Sequence, residues 1–188
     1  MKRIESELPG VCFFEPEVHE DPRGYFFESY HREKFVALGI DNVFVQENHS
    51  LTRHGVLRGL HYQLAHPQAK LCRVVTGEIF DVAVDIRAGS GTFGRWIGVV
   101  LSADNRRQIF IPRGFAHGFI VRSLVAEVIY KCDDFYHPED ECGVLWSDPD
   151  LAIAWGYENP ELVRRDRHHP RLSEIPPARL PRYVGNAS

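Results

Sequence analysis

The chain has 188 residues, 44% hydrophobic and 12% aromatic, which excludes a disordered protein and leaves enough chain for one domain with a real core. Its formal net charge is −4 and its isoelectric point about 6.2, so the basic face that general nucleic-acid binding needs is missing. A basic pocket for an anionic small molecule is compatible with that balance.

No segment reaches the ~20 apolar residues of a membrane span. The N-terminal Met1–Glu7 lacks the apolar run of a signal peptide, so no leader is expected. The four cysteines, Cys12, Cys72, Cys132 and Cys142, form no CxxC pair. That pattern suggests neither zinc nor a redox motif, and reduced thiols in a cytoplasmic protein are the expectation.

In chain order, Val11 to Val18 reads as extended and apolar-rich, Asp21-Pro22-Arg23-Gly24 as a turn, and Tyr25 to Tyr30 as a returning strand. His31 to Leu38 reads as a helix, with Phe35 and Leu38 on one face and Gly39 suited to the position after it. Strand-like runs follow at roughly 43–51, 56–63, 70–76, 78–86, 95–102, 108–111, 116–122 and 124–132, with a tight turn expected at Thr76-Gly77. Many short strands with little helix between them predict an antiparallel sandwich or barrel, because parallel strands need long crossovers. Beyond residue 133 the chain is richer in Pro and charge. Leu151 to Trp155 is apolar, Glu161 to Arg167 reads as a short helix or a loop, and 173–188 as an irregular surface tail. No repeat or linker divides the chain, so 1–188 is expected to be one domain.

Two segments carry the chemistry: Arg58-Gly59-Leu60-His61-Tyr62-Gln63 with Lys70 nearby, and Pro112-Arg113-Gly114-Phe115-Ala116-His117-Gly118-Phe119. A histidine on a strand with a lysine close by is what proton abstraction beside a carbonyl requires: one takes the proton, the other steadies the enolate. Strict alternation would put Arg58 and His61 on opposite faces, so a bulge at Gly59 is expected to bring them to one. Gln46 and Asn48 share a face, and either line a pocket or face solvent. Taken singly, His61 reads as structural, Tyr130 as a core aromatic, Asp166 as part of a solvated charge cluster, and His66, His137, His168 and His169 as ordinary.

Pro112-x-Gly114-x-x-His117 resembles the second motif of cupins, small double-sheet β-barrels that often hold a metal. The first cupin motif begins HxH, whereas here His61-Tyr62-Gln63 has glutamine at the second position. Too few imidazoles converge, and no metal is expected. The expected fold is therefore all-β, a cupin-like double-sheet jelly-roll barrel with a few short helices.

Together these segments resemble the dTDP-4-dehydrorhamnose 3,5-epimerase family. The match runs from about residue 4 to about 172 and includes Asp21-Pro22-Arg23-Gly24-Tyr25-Phe26-Phe27-Glu28, Gln46-Glu47-Asn48-His49-Ser50, the stretch from Gly77 to Arg87, and Tyr136-His137-Pro138, all in family order. The resemblance implies His61 as base, Asp166 as the carboxylate that orients it, Tyr130 as the acid on the other face of the sugar, and Lys70 near the C4 carbonyl. It implies substrate contacts for Arg23, Glu28, Gln46, Glu47, Asn48, Arg58, His117 and Glu141, and stacking of Tyr136 on thymine. Arg165, also expected at the substrate, stands where the family commonly has lysine. The resemblance further implies a homodimer in which strands within 1–30 are exchanged, so that Arg23 and Glu28 serve the neighbouring pocket.

The implied reaction inverts C3 and C5 of a dTDP-4-keto-6-deoxy sugar and needs no cofactor. Alternatives are a single-centre epimerase (C3-only or C5-only), a non-catalytic sugar-nucleotide-binding cupin, and a metal-dependent cupin oxygenase or isomerase.

Overall fold

In a computed structural model, which describes residues 1–185, thirteen strands and one short helix follow one another. They are β1 (Lys2–Glu5), β2 (Cys12–Glu15), β3 (His19–Asp21), β4 (Gly24–Phe26), α1 (Arg32–Ala37), β5 (Gln46–Arg53), β6 (Leu57–Gln63), β7 (Lys70–Thr76), β8 (Glu78–Asp85), β9 (Trp96–Ser102), β10 (Gln108–Ile111), β11 (Phe115–Val121), β12 (Val125–Cys132) and β13 (Glu141–Gly143). Six strands form one sheet in the order β1-β2-β10-β7-β12-β5, and five form another in the order β13-β6-β11-β8-β9. All strand pairs within the two sheets are antiparallel, giving the double-sheet jelly roll of cupins. β3 and β4 pair only with each other.

Three apolar layers hold the sheets. Between them lie Cys72, Val74, Ile79, Ala83, Leu101, Ile109, Phe119, Val121 and Val128, the inward residues of strands from both sheets. The outer face of the six-stranded sheet, with Phe14, Leu71 and Phe110, is covered by Phe35 of α1 and by Ile40. The outer face of the five-stranded sheet is covered by the chain after β13 through Leu151, Trp155, Leu162, Leu172, Ile175 and Leu180. β8 is thus buried on both faces, which is why Ile79 to Val84 is almost continuously apolar instead of alternating.

Three expectations change. The tail was expected to be irregular and superficial. Through Tyr183 it is a packed strap, with 3-10 turns at Leu172–Glu174 and Pro177–Arg179 and a bridge between Ala88 and Arg182. Ile175 and Leu180 are buried because the five-stranded sheet otherwise leaves its outer face wet. The last three residues of the expected tail lie outside the described residues. Next, Thr76-Gly77 is tight but makes no hairpin: β7 and β8 belong to different sheets, and the chain changes sheet there. Finally, the strand expected over Tyr25 to Tyr30 ends at Phe26. Glu161 to Arg167, left open between helix and loop, is a loop with turns. No helix among the described residues is long and apolar enough to cross a membrane.

Candidate active site

Register brings the polar groups of each sheet into rows. On the six-stranded sheet Cys132 of β12 pairs with Lys70 of β7 and Gln46 of β5, and in the next row Tyr130 pairs with Cys72 and Asn48. On the five-stranded sheet His61 of β6 lies between Gly143 of β13 and His117 of β11. Gln46, Asn48, Lys70 and Tyr130 from one sheet and His61 and His117 from the other face one cavity of about 480 Å³ between the sheets, within the usual range for a small-molecule site.

The expected bulge is present. His117 pairs with His61 and Phe119 with Arg58, so β6 spends one residue more than β11 over this stretch, and Arg58 and His61 both reach the cavity. Two facing glycines make this possible. A Cβ on Gly59 would lie 2.6 Å from the His117 carbonyl oxygen, and one on Gly118 2.6 Å from that of Arg58.

His61 Nε2 is 2.9 Å from Asp166 Oδ1, and the Gly59 N–H donates to Oδ2 at 3.1 Å. The Asp166 loop is tied at both ends: Glu161 bonds to Gly55 and Leu57, and the Pro170 carbonyl accepts from Leu145. Burial pushes the Asp166 carboxyl up, but the neighbouring His169 ring, the bond from His61, the His61 charge and the Gly59 N–H outweigh it and hold the group well below the usual carboxylate range. The Nε2–H that Asp166 accepts leaves Nδ1 to carry the lone pair, and Glu141 Oε1 lies 3.6 Å from it. Glu141 is engaged by Arg165 and by the Tyr136 hydroxyl, which donates to Oε2 at 2.8 Å. Burial and this carboxylate both push the Tyr136 phenol up.

His117 has a parallel arrangement. Its Nε2 lies 3.0 and 2.9 Å from the two oxygens of Asp81, which is fully buried. On the opposite sheet Tyr130 is pushed up to about 12, first by burial and then by the Cys132 and Cys72 thiols, so it holds its proton at neutral pH.

Of the expected residues, His61, Lys70, Tyr130, Asp166, Gln46, Asn48, Arg58, His117, Tyr136, Glu141 and Arg165 line the cavity. Gln46 and Asn48, joined by a 3.0 Å bond from Gln46 to Asn48, both line the cavity, which settles the choice left open between pocket and solvent. Three do not line it. Glu47 points to the outer face and pairs with Lys131, as alternation on β5 requires. Arg23 pairs with Asp21 and Glu28 with Lys34, both on the N-terminal segment. Asp81 was missed, and its signal was an aspartate in the middle of an apolar strand, which needs a partner once buried.

A cupin metal does not fit here. Gln63, in place of the second imidazole, gives its amide N–H groups to the carbonyls of His66 and Phe135 and accepts from the His137 N–H, and in the His61–Asp166–His169 cluster both Nε2 atoms face the same Asp166 oxygen and not a common ion. Elsewhere, His66, Asp134 and His137 bring one ligand atom each within 4.8 Å, but the two imidazoles stack 3.9 Å apart with planes at 17°, so their in-plane lone pairs run side by side and do not aim at one ion.

The dTDP-4-dehydrorhamnose 3,5-epimerase family model matches residues 5–174. The chain belongs to the dTDP-4-dehydrorhamnose 3,5-epimerase family. A family member from Pseudomonas aeruginosa is 53% identical over 169 residues, covering 89% of this chain and 93% of that protein. The crystal structure of dTDP-6-deoxy-D-glucose-3,5-epimerase from Legionella pneumophila Philadelphia 1, in complex with dTDP-4-keto-L-rhamnose, superposes with a TM-score of 0.95 at 47% identity, covering 98% of this chain and 99% of that one. A 3'-monoepimerase from Streptomyces bikiniensis, solved with dTDP-quinovose, is less similar: TM-score 0.85, 36% identity, 89% of this chain and 86% of that one.

Proposed function

We propose that this chain is a dTDP-4-dehydrorhamnose 3,5-epimerase that inverts C3 and C5 of dTDP-4-dehydro-6-deoxy-D-glucose to give dTDP-4-dehydro-L-rhamnose. The observation that carries the reading is the His61–Asp166 pair on one wall of the cavity and the protonated Tyr130 phenol on the other, in a chain of this family.

The C4 ketone acidifies the protons on C3 and C5. His61 removes one through Nδ1, and Asp166 holds the imidazole in the needed tautomer and stabilises the imidazolium. Charge moves to O4, where the Lys70 ammonium and His117, backed by Asp81, stabilise the enolate. Tyr130 protonates the carbon from the opposite face, and the centre inverts. The proton on His61 returns to the phenolate through solvent, resetting the site for the second carbon. No redox equivalent is consumed, so the reaction as written needs no redox cofactor, and Lys70 and His117 supply the stabilisation at O4 that a Lewis-acid metal would otherwise give. Arg58 is the cavity's candidate cation for the diphosphate, and Tyr136 at the rim is the candidate to stack on thymine.

Arg23 and Glu28 fit this scheme as contributions to a second copy's cavity. The supporting features are the β3–β4 hairpin, which joins neither main sheet and has Tyr25 and Phe26 exposed by 56% and 71%, and the uncovered edge of β5, with Leu51 exposed. Light scattering should give twice the 21.6 kDa chain mass, and a monomer at micromolar concentration would remove the dimer. Four free thiols fit a cytoplasmic enzyme.

The test is proton NMR of the 4-keto-6-deoxyglucose nucleotide with enzyme in deuterated water. Deuterium at both C3 and C5 with formation of the L-sugar is expected, also after exhaustive chelation. Inversion at one carbon would make this a single-centre epimerase, and no exchange at either would remove the catalytic reading.

A further inference from the structure

We propose that His169 is a positioning residue for the base: its imidazole shares the Asp166 carboxylate with His61 and limits how much of that charge His61 receives. The inference rests on the acid–base reading above and deepens it.

Three observations converge on His169. Its Nε2 is buried and has no hydrogen-bond partner, a state that buried polar atoms rarely keep. The group beside that nitrogen is the catalytic carboxylate, with Asp166 Oδ1 at 3.6 Å, so a shift of about half an ångström would make an ordinary bond. The ring also stands edge-on to His61, centroids 5.8 Å apart and planes at 81°.

The fold makes room for this. A Cβ on Gly143 would come within 2.4–2.5 Å of the His169 ring, and Gly143 is the register partner of His61 across β13 and β6. The ring is therefore wedged against the strand neighbour of the base. Around it the charged and titratable groups are Asp166 and Arg165 of its own loop, His61 of β6 and, beyond His61, Glu141 of β13.

The consequence follows from how a carboxylate divides its charge. Oδ1 already accepts from His61 at 2.9 Å and lies 3.5 Å from Arg165 Nε, while Gly59 takes Oδ2. Each added donor fixes the carboxylate more firmly and leaves less of it to stabilise the imidazolium. Removing the His169 donor should loosen Asp166, slowing proton abstraction. It should also leave more charge facing His61, so that His61 keeps its proton to higher pH.

The test compares His169→Leu, which keeps bulk without a donor, with His169→Gln, which returns an N–H near the same place. For the leucine variant we expect kcat lower by up to about tenfold, the ceiling being the loss of one full hydrogen bond to a charged group, which His169 makes only once it closes the 3.6 Å gap to Asp166. KM should stay within about twofold, and the acid limb of the kcat/KM profile should move to higher pH. The glutamine variant should recover most of both effects. A wild-type pH profile in the leucine variant, or equal losses in the two variants, would overturn the proposal. Should the leucine variant fail to fold, Gly143→Ala displaces the ring while keeping the histidine. The same upward shift is expected there, and an unchanged profile overturns the idea. His61→Ala separates the two levels: activity surviving that change removes the base assignment itself, whereas an inactive His61→Ala beside a wild-type-like His169→Leu removes only the role of His169.

Discussion

The two walls of the cavity carry different chemistry. The five-stranded sheet presents two imidazoles in register, His61 and His117, each with Nε2 against a buried carboxylate. The six-stranded sheet presents a phenol, an ammonium and two amides, and the phenol is flanked by thiols where the imidazoles have carboxylates. A carboxylate behind an imidazole favours taking up a proton, and burial among thiols favours keeping one. The sandwich thus separates groups that accept protons from groups that hold them, and a planar enolate between the walls can be addressed from both faces.

Breaking the accepting wall should cost most. His61→Ala should abolish turnover and also C3 and C5 exchange in deuterated water, a loss of at least the ~10²–10⁴-fold typical of a positioned base. Residual exchange near the wild-type rate would show that another group takes the proton. Next comes Lys70→Met, which keeps the stem and removes the charge at O4. A fall in kcat of about 10²-fold is expected with nucleotide affinity nearly unchanged, measured by steady-state kinetics and calorimetry. Asp81→Asn leaves His117 a hydrogen bond but no anion, and a fall of about tenfold is expected. If its loss matched that of His61→Ala, the two imidazole–carboxylate pairs would not differ in role.

Away from the cavity, Ile175→Ala sharpens the contrast between chemistry and support. It should destabilise the fold by about 2–5 kcal/mol in urea melts, because Ile175 is buried under the five-stranded sheet. Activity below the transition should be retained. A change within about 0.5 kcal/mol would return the tail to the surface, where the sequence had put it.

The strands were legible because Gly and Pro break the chain at nearly every edge, and the bulge because Arg58 and His61 needed a common face. The tail misled because its prolines report irregular backbone, which says nothing about whether Leu172, Ile175 and Leu180 find a sheet to cover. On β8 the alternation was hidden by burial on both faces. In the site, period two placed Gln46 with Asn48 and put Glu47 on the other face, yet the resemblance still proposed Glu47 as a contact. Asp81 and His169 were not assigned for one reason: each lies beside a histidine distant in sequence, Asp81 through the pairing of β8 with β11 and His169 through its packing on Gly143, the β13 partner of His61.

The division of labour between the walls is tested most directly by Tyr130→Phe in deuterated water, with exchange and inversion followed together by NMR. The six-stranded wall then lacks the phenol that protonates carbon, Lys70 being placed at O4, while His61 on the other wall still removes a proton and returns a deuteron on the same side. Exchange at C3, C5 or both should continue as inversion slows by about 10²-fold or more. Equal loss of exchange and inversion, with the fold intact by circular dichroism, would contradict the separation of the two walls.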